Sequence, residues 1–228
     1  NIKLFNGHPP LAYSVRAACL TKSIDRVMVS TDSEEYASIA KKYGAEVPFL
    51  RPKEISRDDS TDLDFINHAL GWFEKHEGSV PRLIVHLRPP APLRHPETIE
   101  EAIKAIESDK TATALRSIHE MSESAYKWVE VDGEYLACLC THSRDIETSS
   151  LGRQFYPKTY EPNGSVDILK TDFILENQKI HGDRVQAFHS PRVIDIDNEE
   201  DFDMAAYQFM KNKDLFADYF HSYESISS

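Results

Sequence analysis

The sequence predicts an α/β fold built on a doubly wound, mostly parallel sheet. Short apolar runs rich in Val, Ile and Leu alternate with segments whose apolar residues recur at helical spacing, and this alternation is typical of βαβ units. The chain has 228 residues, which is enough to bury one large core. The alternation breaks near residues 119–162, and we expect a β-rich insert there.

The first elements are a helix followed by a βαβ unit. A Pro-Pro pair opens the helix, which is predicted to end near Lys22. Residues 26–32 form an apolar run that ends in hydroxyls and a carboxylate, and they predict a buried strand. A helix over residues 34–43, closed by a glycine, then leads to a short strand over residues 46–50.

The central elements continue the same pattern. Asp, Ser and Thr at residues 58–61 mark the N-terminus of a helix that should reach about His76. Residues 82–87 predict the next strand, which stops at a run of three prolines because proline cannot donate to a strand ladder. A helix from Pro96 and a strand over residues 111–115 complete this part.

The insert begins with a predicted hairpin, in which residues 127–131 and 134–139 flank an Asp-Gly turn. Residues 141–160 are polar and irregular, and they are too long for a plain connection. Such a segment indicates either an oligomerisation arm or an active-site lid. The sheet is predicted to resume with strands over residues 165–169 and 184–188, before a last strand and helix.

The composition favours a function that sits in a pocket. The formal net charge of −12 argues against a nucleic-acid backbone or an anionic membrane surface as the main partner. Cys19, Cys138 and Cys140 are a sparse, odd set, which is typical of reduced thiols in the cytoplasm. No apolar stretch approaches the roughly 20 residues that span a bilayer, and no signal peptide opens the chain. We therefore expect a cytoplasmic protein that acts on a small ligand.

Two carboxylates near the end of the chain are its most informative chemical feature. Asp195 and Asp197 follow an apolar run and are separated by Ile196, so on a strand both carboxylates would point the same way. Hard oxygen ligands at this spacing suit Mg²⁺, and open α/β sheets bind ligands at the ends of their strands. The alternative is an acidic turn that only caps the next helix.

Four other polar clusters lie where strands are expected to end or in the insert. Together with the Asp195 segment at residues 195–197, they are residues 30–32, 51–52, 88–94 and 153–164. Together they supply cations, hydroxyls, an amide and a metal-binding pair around one sheet edge. Phosphoryl or nucleotidyl transfer needs this mixture, because positioned charge stabilises its transition state.

The order of these motifs resembles the acylneuraminate cytidylyltransferases, which join a nonulosonic acid such as sialic or legionaminic acid to CTP. The resemblance covers nearly the whole chain. Its motifs are N-x-x-x-x-N-G (1–7), D-R-V to S-T-D (25–32), Y-G-A-E-V-P-F-L-R-P (43–52), D-D-S-T (58–61), R-P-x-x-P-L-R (88–94), R-Q-x-x-P (153–157), N-G (163–164) and I-D-I-D (194–197). The resemblance implies a nucleotide-diphospho-sugar transferase-like fold.

The resemblance also implies a nucleotide site and a metal site. Asn1, Arg51 and Asp62 would contact the base and ribose side of CTP. Asp195 and Asp197 would hold Mg²⁺ against the triphosphate and the attacking hydroxyl of the sugar. The products would be a CMP-sugar and pyrophosphate, and no covalent enzyme intermediate would be required.

For the nine-carbon sugar acid, the resemblance implies that Arg88, Arg153 and Asn163 face the substrate. Lys127 would reach it from the second subunit of a homodimer, with the insert as the dimerising element. A bidentate arginine is the natural receptor for the carboxylate of the acid. For Arg51 and Lys127, the role of an ordinary solvated side chain stays open.

Two departures from the family pattern leave the identity of the sugar open. Arg88 stands where the sialic acid enzymes carry Gln, and Asp167 stands where they carry Tyr. The family's first strand and its A-R-x-G-S-K-G triphosphate loop would precede Asn1. The alternatives are therefore a non-catalytic nucleotide-sugar-fold binding module, or a sugar nucleotidyltransferase that uses another base.

Several residues near these motifs are interpreted as structural. Arg94 is expected to pair with carboxylates at the start of the next helix, such as Glu97. His68, His86 and His95 do not form a metal-binding spacing together, and each is interpreted as an ordinary core or cap residue.

Overall fold

A computed structural model describes residues 3–221 as helices packed around a sheet. Within these residues the helices are α1 (Pro10–Leu20), α2 (Glu34–Lys42), α3 (Asp62–Glu77), α4 (Pro96–Ser108), α5 (Thr171–Asn177), α6 (Glu199–Lys211) and α7 (Lys213–Phe216). The strands are β1 (Leu83–His86), β2 (Ala114–Glu120), β3 (Val129–Asp132), β4 (Tyr135–Cys138), β5 (Tyr160–Lys170) and β6 (Val185–His189).

Local sequence fixes the ends of α3 and α6. At the start of α3, Asp64 Oδ2 accepts a hydrogen bond from the Thr61 N–H at 2.7 Å, which satisfies a donor that the helix itself cannot. The helix ends at Gly78, whose φ of 70° is the left-handed conformation that glycine adopts readily. At the start of α6, Asn198 and Asp201 cap each other in the same reciprocal way.

The main sheet has the strand order β1-β5-β2-β6, and β3 and β4 form a separate hairpin. β1 and β5 pair in the antiparallel sense, with Val85 opposite Ile168. The predicted α/β fold is confirmed, and the antiparallel β1/β5 pair shows that the sheet is not wholly parallel. The predicted hairpin is also present, and it turns at Gly133 with φ 69°.

Two predicted strands at residues 26–32 and 46–50 are reduced to a short contact. Met28 and Glu46 form an isolated parallel bridge, supported by hydrogen bonds from the Val29 N–H to the Glu46 carbonyl and from the Glu46 N–H to the Val27 carbonyl. The two segments therefore run side by side as predicted, but the ladder is too short to form a strand.

The prediction that Asp195 and Asp197 lie on a strand is wrong. Residues 191–196 belong to no strand, and the Ile196 N–H donates to the Pro90 carbonyl at 2.8 Å. The apolar residues Ile194 and Ile196 still pack against the main core. The alternating pattern therefore predicted correctly which side chains of this segment are buried. It did not predict whether the segment pairs with a neighbouring strand.

The sheet separates two hydrophobic clusters. Ile168 of β5 and Leu115 of β2 belong to the larger cluster, together with residues of α1 and α4. Their neighbours Leu169 and Ala114 belong to the smaller cluster, together with residues of α3 and α5. Because successive side chains of a strand point to opposite faces, both faces of the sheet are covered by helices.

The chain divides into two compact units. Residues 118–162 form the smaller unit, which contains the β3/β4 hairpin, and the remainder forms the larger one. Among the described residues, no helix has both the length and the apolar character needed to cross a membrane.

Candidate active site

The turn after β1 is organised by Arg94, which is fully buried. Its guanidinium donates hydrogen bonds to the Ser165 carbonyl at 2.6 Å, the Gly164 carbonyl at 3.0 Å, the Ser14 hydroxyl at 2.7 Å and the Arg88 carbonyl. Burial lowers the pKa of Arg94, and the carboxylate of Asp195 opposes that shift. A single side chain thus joins the turn to β5 and to α1.

The expected pairing of Arg94 with Glu97 is wrong. Arg94 points into the protein, whereas the Glu97 side chain is 85% exposed and its Oε2 lies 3.7 Å from His95 Nδ1. The proline-rich turn directs Arg94 towards carbonyl groups that would otherwise be buried without partners. A buried guanidinium with several acceptors is the arrangement that compensates its loss of water.

Asp195 and Asp197 lie beside this turn, and both are exposed. Loss of water around its carboxyl group and the neighbouring Asp197 raise the pKa of Asp195, although Arg94 and Arg88 act in the opposite direction. A Cβ atom on Gly164 would lie 3.7 Å from Asp195 Oδ2, so the backbone of β5 passes close to this carboxylate. The pair therefore carries mutual repulsion that a cation would relieve.

The Arg88 side chain is held by two protein carboxylates. One terminal nitrogen donates to Asp167 Oδ2 at 2.8 Å, and the other donates to Asp62 Oδ2. Asp167 is buried on β5, and Asp62 is the first residue of α3. Arg88 thus connects Asp62, which the sequence assigned to the nucleotide, with Asp167, which lies at a position linked to the sugar acid. Both terminal nitrogens of the Arg88 guanidinium are therefore already hydrogen-bonded within the protein.

Asn163 is buried and holds neighbouring backbone in place. Its amide nitrogen donates to the Ser190 hydroxyl at 2.8 Å and to the Pro191 carbonyl at 3.3 Å, and its carbonyl oxygen accepts from the Ser165 N–H at 3.2 Å. These contacts give Asn163 a structural role, which fixes the segment that leads to Asp195.

Comparison with known proteins identifies the family. The family model for Cytidylyltransferase matches residues 1–134, which is more than half of the chain. The chain belongs to the cytidylyltransferase family. A Campylobacter coli protein named post-translational flagellin modification protein B is 30% identical over 218 residues, which cover 94% of this chain and 89% of that protein.

This cytidylyltransferase also matches a second curated protein and a solved structure. The CMP-N,N'-diacetyllegionaminic acid synthase of Campylobacter jejuni is 29% identical, with 91% of this chain and 86% of that protein covered. Among solved structures, a CMP:2-keto-3-deoxy-manno-octonic acid synthetase complexed with CTP matches with a TM-score of 0.64. That match covers 92% of this chain and 91% of the other at 12% identity, so it shows a common fold alone.

Arg51 of this cytidylyltransferase follows a short extended segment and is partly free. Its N–H donates to the Thr31 carbonyl at 2.8 Å, and its Nε donates to the Ser56 hydroxyl at 3.1 Å. Its guanidinium lies 5.6 Å from the ring centroid of Phe65 on α3. The two terminal nitrogens make no hydrogen bond within residues 3–221 and are available to a ligand. Asn1, its predicted partner at the nucleotide, lies outside the described residues.

Lys127 and Arg153 belong to the smaller unit. Lys127 pairs with Glu123 at 2.9 Å, and Arg153 donates to the Ser122 carbonyl at 3.4 Å. Arg153 is exposed. Their predicted roles at the sugar acid stay predictions.

Around Asp167, the sequence interpretation missed Arg116 and His181, and it assigned His86 to an ordinary core or cap role. His86, Arg116 and His181 all interact with this carboxylate, and burial lowers the pKa of His86 to about 4. The role of His86 could have been found, because it is the last residue of β1 and lies two residues before Arg88. Arg116 and His181 carry no such signal, since only the order of the strands brings them to Asp167.

Proposed function

We propose that this cytidylyltransferase joins a nonulosonic acid of the sialic or legionaminic type to CTP, giving a CMP-sugar and pyrophosphate. The observation that carries the proposal is the exposed carboxylate pair of Asp195 and Asp197, set beside the buried cation Arg94. Nucleotidyl transfer requires a metal-binding pair at the attacking hydroxyl and positioned cations around it. The nine-carbon acid as substrate is supported by the name of the Campylobacter jejuni relative, which matches over most of both chains.

The donor set of the pair fits Mg²⁺. No cluster of three or more metal-binding side chains occurs among the described residues, and Mg²⁺ is commonly held by one or two carboxylates with substrate phosphates and water. Asp195 and Asp197 would hold the ion, which when bound neutralises phosphate charge and lowers the pKa of a hydroxyl. Asp201 accepts from the backbone N–H of Asp197 at 3.2 Å and steadies the segment.

The protein's own groups position the reactants. Arg51, with its two free terminal nitrogens, would bind the nucleotide, and Asp62 would orient Arg88 beside it. Arg94 holds the carbonyls of Gly164 and Ser165, and so keeps β5 next to Asp195.

We propose that the protein acts as a homodimer through the smaller unit. That unit exposes large apolar side chains, including Val131 at 76%, Tyr135 at 64% and Phe155 at 69%. Exposed apolar residues at this density are typical of an interface, and a second copy of the chain would cover them. Lys127 of one subunit would then complete the pocket of the other. A cytoplasmic location stays a prediction from the sequence.

The proposal is tested by pyrophosphate release from four nucleoside triphosphates, each paired with sialic, legionaminic and ketodeoxy acids. We expect turnover with CTP and a nonulosonic acid. Asp197→Asn should keep the thermal midpoint and lower kcat by at least roughly a hundredfold, because a ligand charge is lost. Asp203→Asn, an exposed aspartate on α6, is the matched control and should retain activity. Full turnover of Asp197→Asn would reject the metal pair, and turnover with another base would favour the alternative nucleotidyltransferase.

A further inference from the structure

The hydroxyl of Tyr219 contacts the turn that carries Arg94. Tyr219 is 1% exposed and ends the short helical turn Ala217–Tyr219, and its O–H donates a hydrogen bond to the Arg94 carbonyl. Burial raises the pKa of Tyr219, so the hydroxyl stays protonated and remains a donor near neutral pH. A residue 125 positions further along the chain is thus bonded to the residue that organises the active-site turn.

The segment that carries Tyr219, residues 213–220, is held against the larger unit by polar and aromatic contacts. Arg16 Nε on α1 donates to the Tyr219 carbonyl at 2.8 Å. The Phe220 ring stacks on His8, with the ring centroids 3.7 Å apart and the planes 8° from parallel. These contacts fix the backbone at Tyr219 and direct its side chain towards the turn.

Arg94 connects Tyr219 to the backbone of β5 beside the metal pair. The Arg94 carbonyl accepts from Tyr219, and the guanidinium of the same residue donates to the Gly164 carbonyl at 3.0 Å. A Cβ atom on Gly164 would lie 3.7 Å from Asp195 Oδ2. Displacement of Arg94 would therefore shift the strand that passes next to this carboxylate.

The same guanidinium also closes the turn over residues 88–94, because it donates to the Arg88 carbonyl at the other end of the turn. Within this turn, the Pro90 carbonyl accepts from the N–H of Ile196 at 2.8 Å, and Ile196 lies between the two aspartates of the metal pair. Arg94 therefore holds the turn, and the turn holds the segment of the metal pair.

We propose that Tyr219 is a positioning residue that acts through Arg94 to hold the backbone around Asp195 and Asp197 for nucleotidyl transfer. This inference rests on the proposed function. Tyr219 is too deeply buried to contact a substrate, but its hydroxyl fixes the main chain of Arg94, and the guanidinium fixes β5 and the turn. Loss of the hydroxyl should lower turnover, because small displacements of positioned groups slow the chemical step. Arg51 belongs to a different segment, so CTP binding should change little.

The test compares Tyr219→Phe with Tyr13→Phe in the full chain. Each change removes one buried hydroxyl that donates to a carbonyl, because Tyr13 is also fully buried and donates to the Phe5 carbonyl at 3.0 Å. Both variants should therefore lose a similar amount of stability in urea titrations. Only Tyr219→Phe should lower kcat, by roughly three- to tenfold, with the KM for CTP within about twofold. An equal loss of kcat in both variants, or no loss in Tyr219→Phe, would overturn the proposal.

The Nε–H of Arg94 reports the same connection without any substrate. It donates to the Ser165 carbonyl at 2.6 Å, and its signal in the spectrum of protein with isotope-labelled arginine is assigned by its absence from Arg94→Lys. Exchange of this proton with water should be at least roughly tenfold faster in Tyr219→Phe, because Arg94 has lost a restraint, and unchanged in Tyr13→Phe. Unchanged exchange in Tyr219→Phe would show that Tyr219 does not act through Arg94.

These measurements separate the inference from the proposed function. If the unaltered chain turns over no sugar acid, the proposed function fails, and the positioning role fails with it. If the unaltered chain is active and Tyr219→Phe changes neither kcat nor the exchange at Arg94, the inference fails and the proposed function stands. If Tyr219→Phe does not fold, Arg16→Met serves as the second variant, because it releases the Tyr219 carbonyl. It should show the same pattern with smaller effects, and a pattern equal to that of Tyr13→Phe would overturn the proposal.

Discussion

Replacement of Arg94 by methionine should destabilise the larger unit severely. Methionine fills much of the same volume but donates no hydrogen bonds, so the carbonyls of Arg88, Gly164 and Ser165 lose their charged donor. A buried acceptor without a partner costs about 1–3 kcal/mol, so three of them cost about 3–9 kcal/mol. Removal of a buried charge offsets roughly 1–4 kcal/mol of this. We therefore expect the free energy of unfolding to fall by about 2–5 kcal/mol, a large part of the total for a typical domain.

The assay uses one tryptophan as a reporter of the larger unit. The chain has two tryptophans, and Trp72 lies on α3 whereas Trp128 lies in the smaller unit. In a Trp128→Phe background, the fluorescence of Trp72 during urea titration therefore follows the unit that contains Arg94. The midpoint and slope of the transition give the free energy of unfolding.

Two further variants sharpen the result. Arg82→Met is the control, because Arg82 is 67% exposed and pairs with Glu107 at the surface, so its loss should cost at most about 1 kcal/mol. Arg94→Lys should be intermediate, since one ammonium cannot reach carbonyls on separate segments. If Arg94→Met lost no more than Arg82→Met, the view that Arg94 holds the turn to β5 would be refuted.

Three other predictions concern the nucleotide, the pH and the shared pocket. Arg51→Met should raise the KM for CTP at least roughly tenfold, because a charged hydrogen bond to the nucleotide is lost, and it should leave the KM for the sugar acid within about twofold. Equal increases in both KM values would indicate a structural role for Arg51. The unfolded chain binds one more proton than the folded chain between the lowered pKa of His86, about 4, and its ordinary value of 6.5. The free energy of unfolding should therefore fall as the pH drops through this range, by at most roughly 1.4 kcal/mol per pH unit. In urea titrations of His86→Leu, the free energy of unfolding should change less with pH. If it changed with pH as much as in the unaltered chain, His86 would be excluded as the source of the pH dependence. Mixing inactive Asp195→Asn with inactive Lys127→Ala should restore activity, because one hybrid pocket combines both intact residues; no recovery after verified subunit exchange would contradict the shared pocket.

The sequence by itself determined helices α1 to α4 and α6, but not α5 or α7, and it determined the carboxylate chemistry at residues 195 and 197. Helix α3 was predicted from its polar start at residues 58–61, because capping and apolar periodicity act within a few residues of the chain. Asp195 and Asp197 were predicted as a carboxylate pair because their chemistry is independent of the backbone around them. The prediction that these two residues lie on a strand was wrong, because an alternating apolar pattern specifies which side chains are buried and not whether a neighbouring strand is hydrogen-bonded to the segment.

Tertiary structure decided which residues meet. Arg94 bonds to Gly164 and Ser165, about 70 positions further along the chain, whereas the sequence suggested Glu97 because it is close in number. Asp167 gathers Arg88 and Arg116 because β5 lies between β1 and β2 in the sheet. Local periodicity holds no information on strand order, which follows from the packing of both sheet faces as a whole. The residues that the sequence missed are therefore those whose partners lie on another strand.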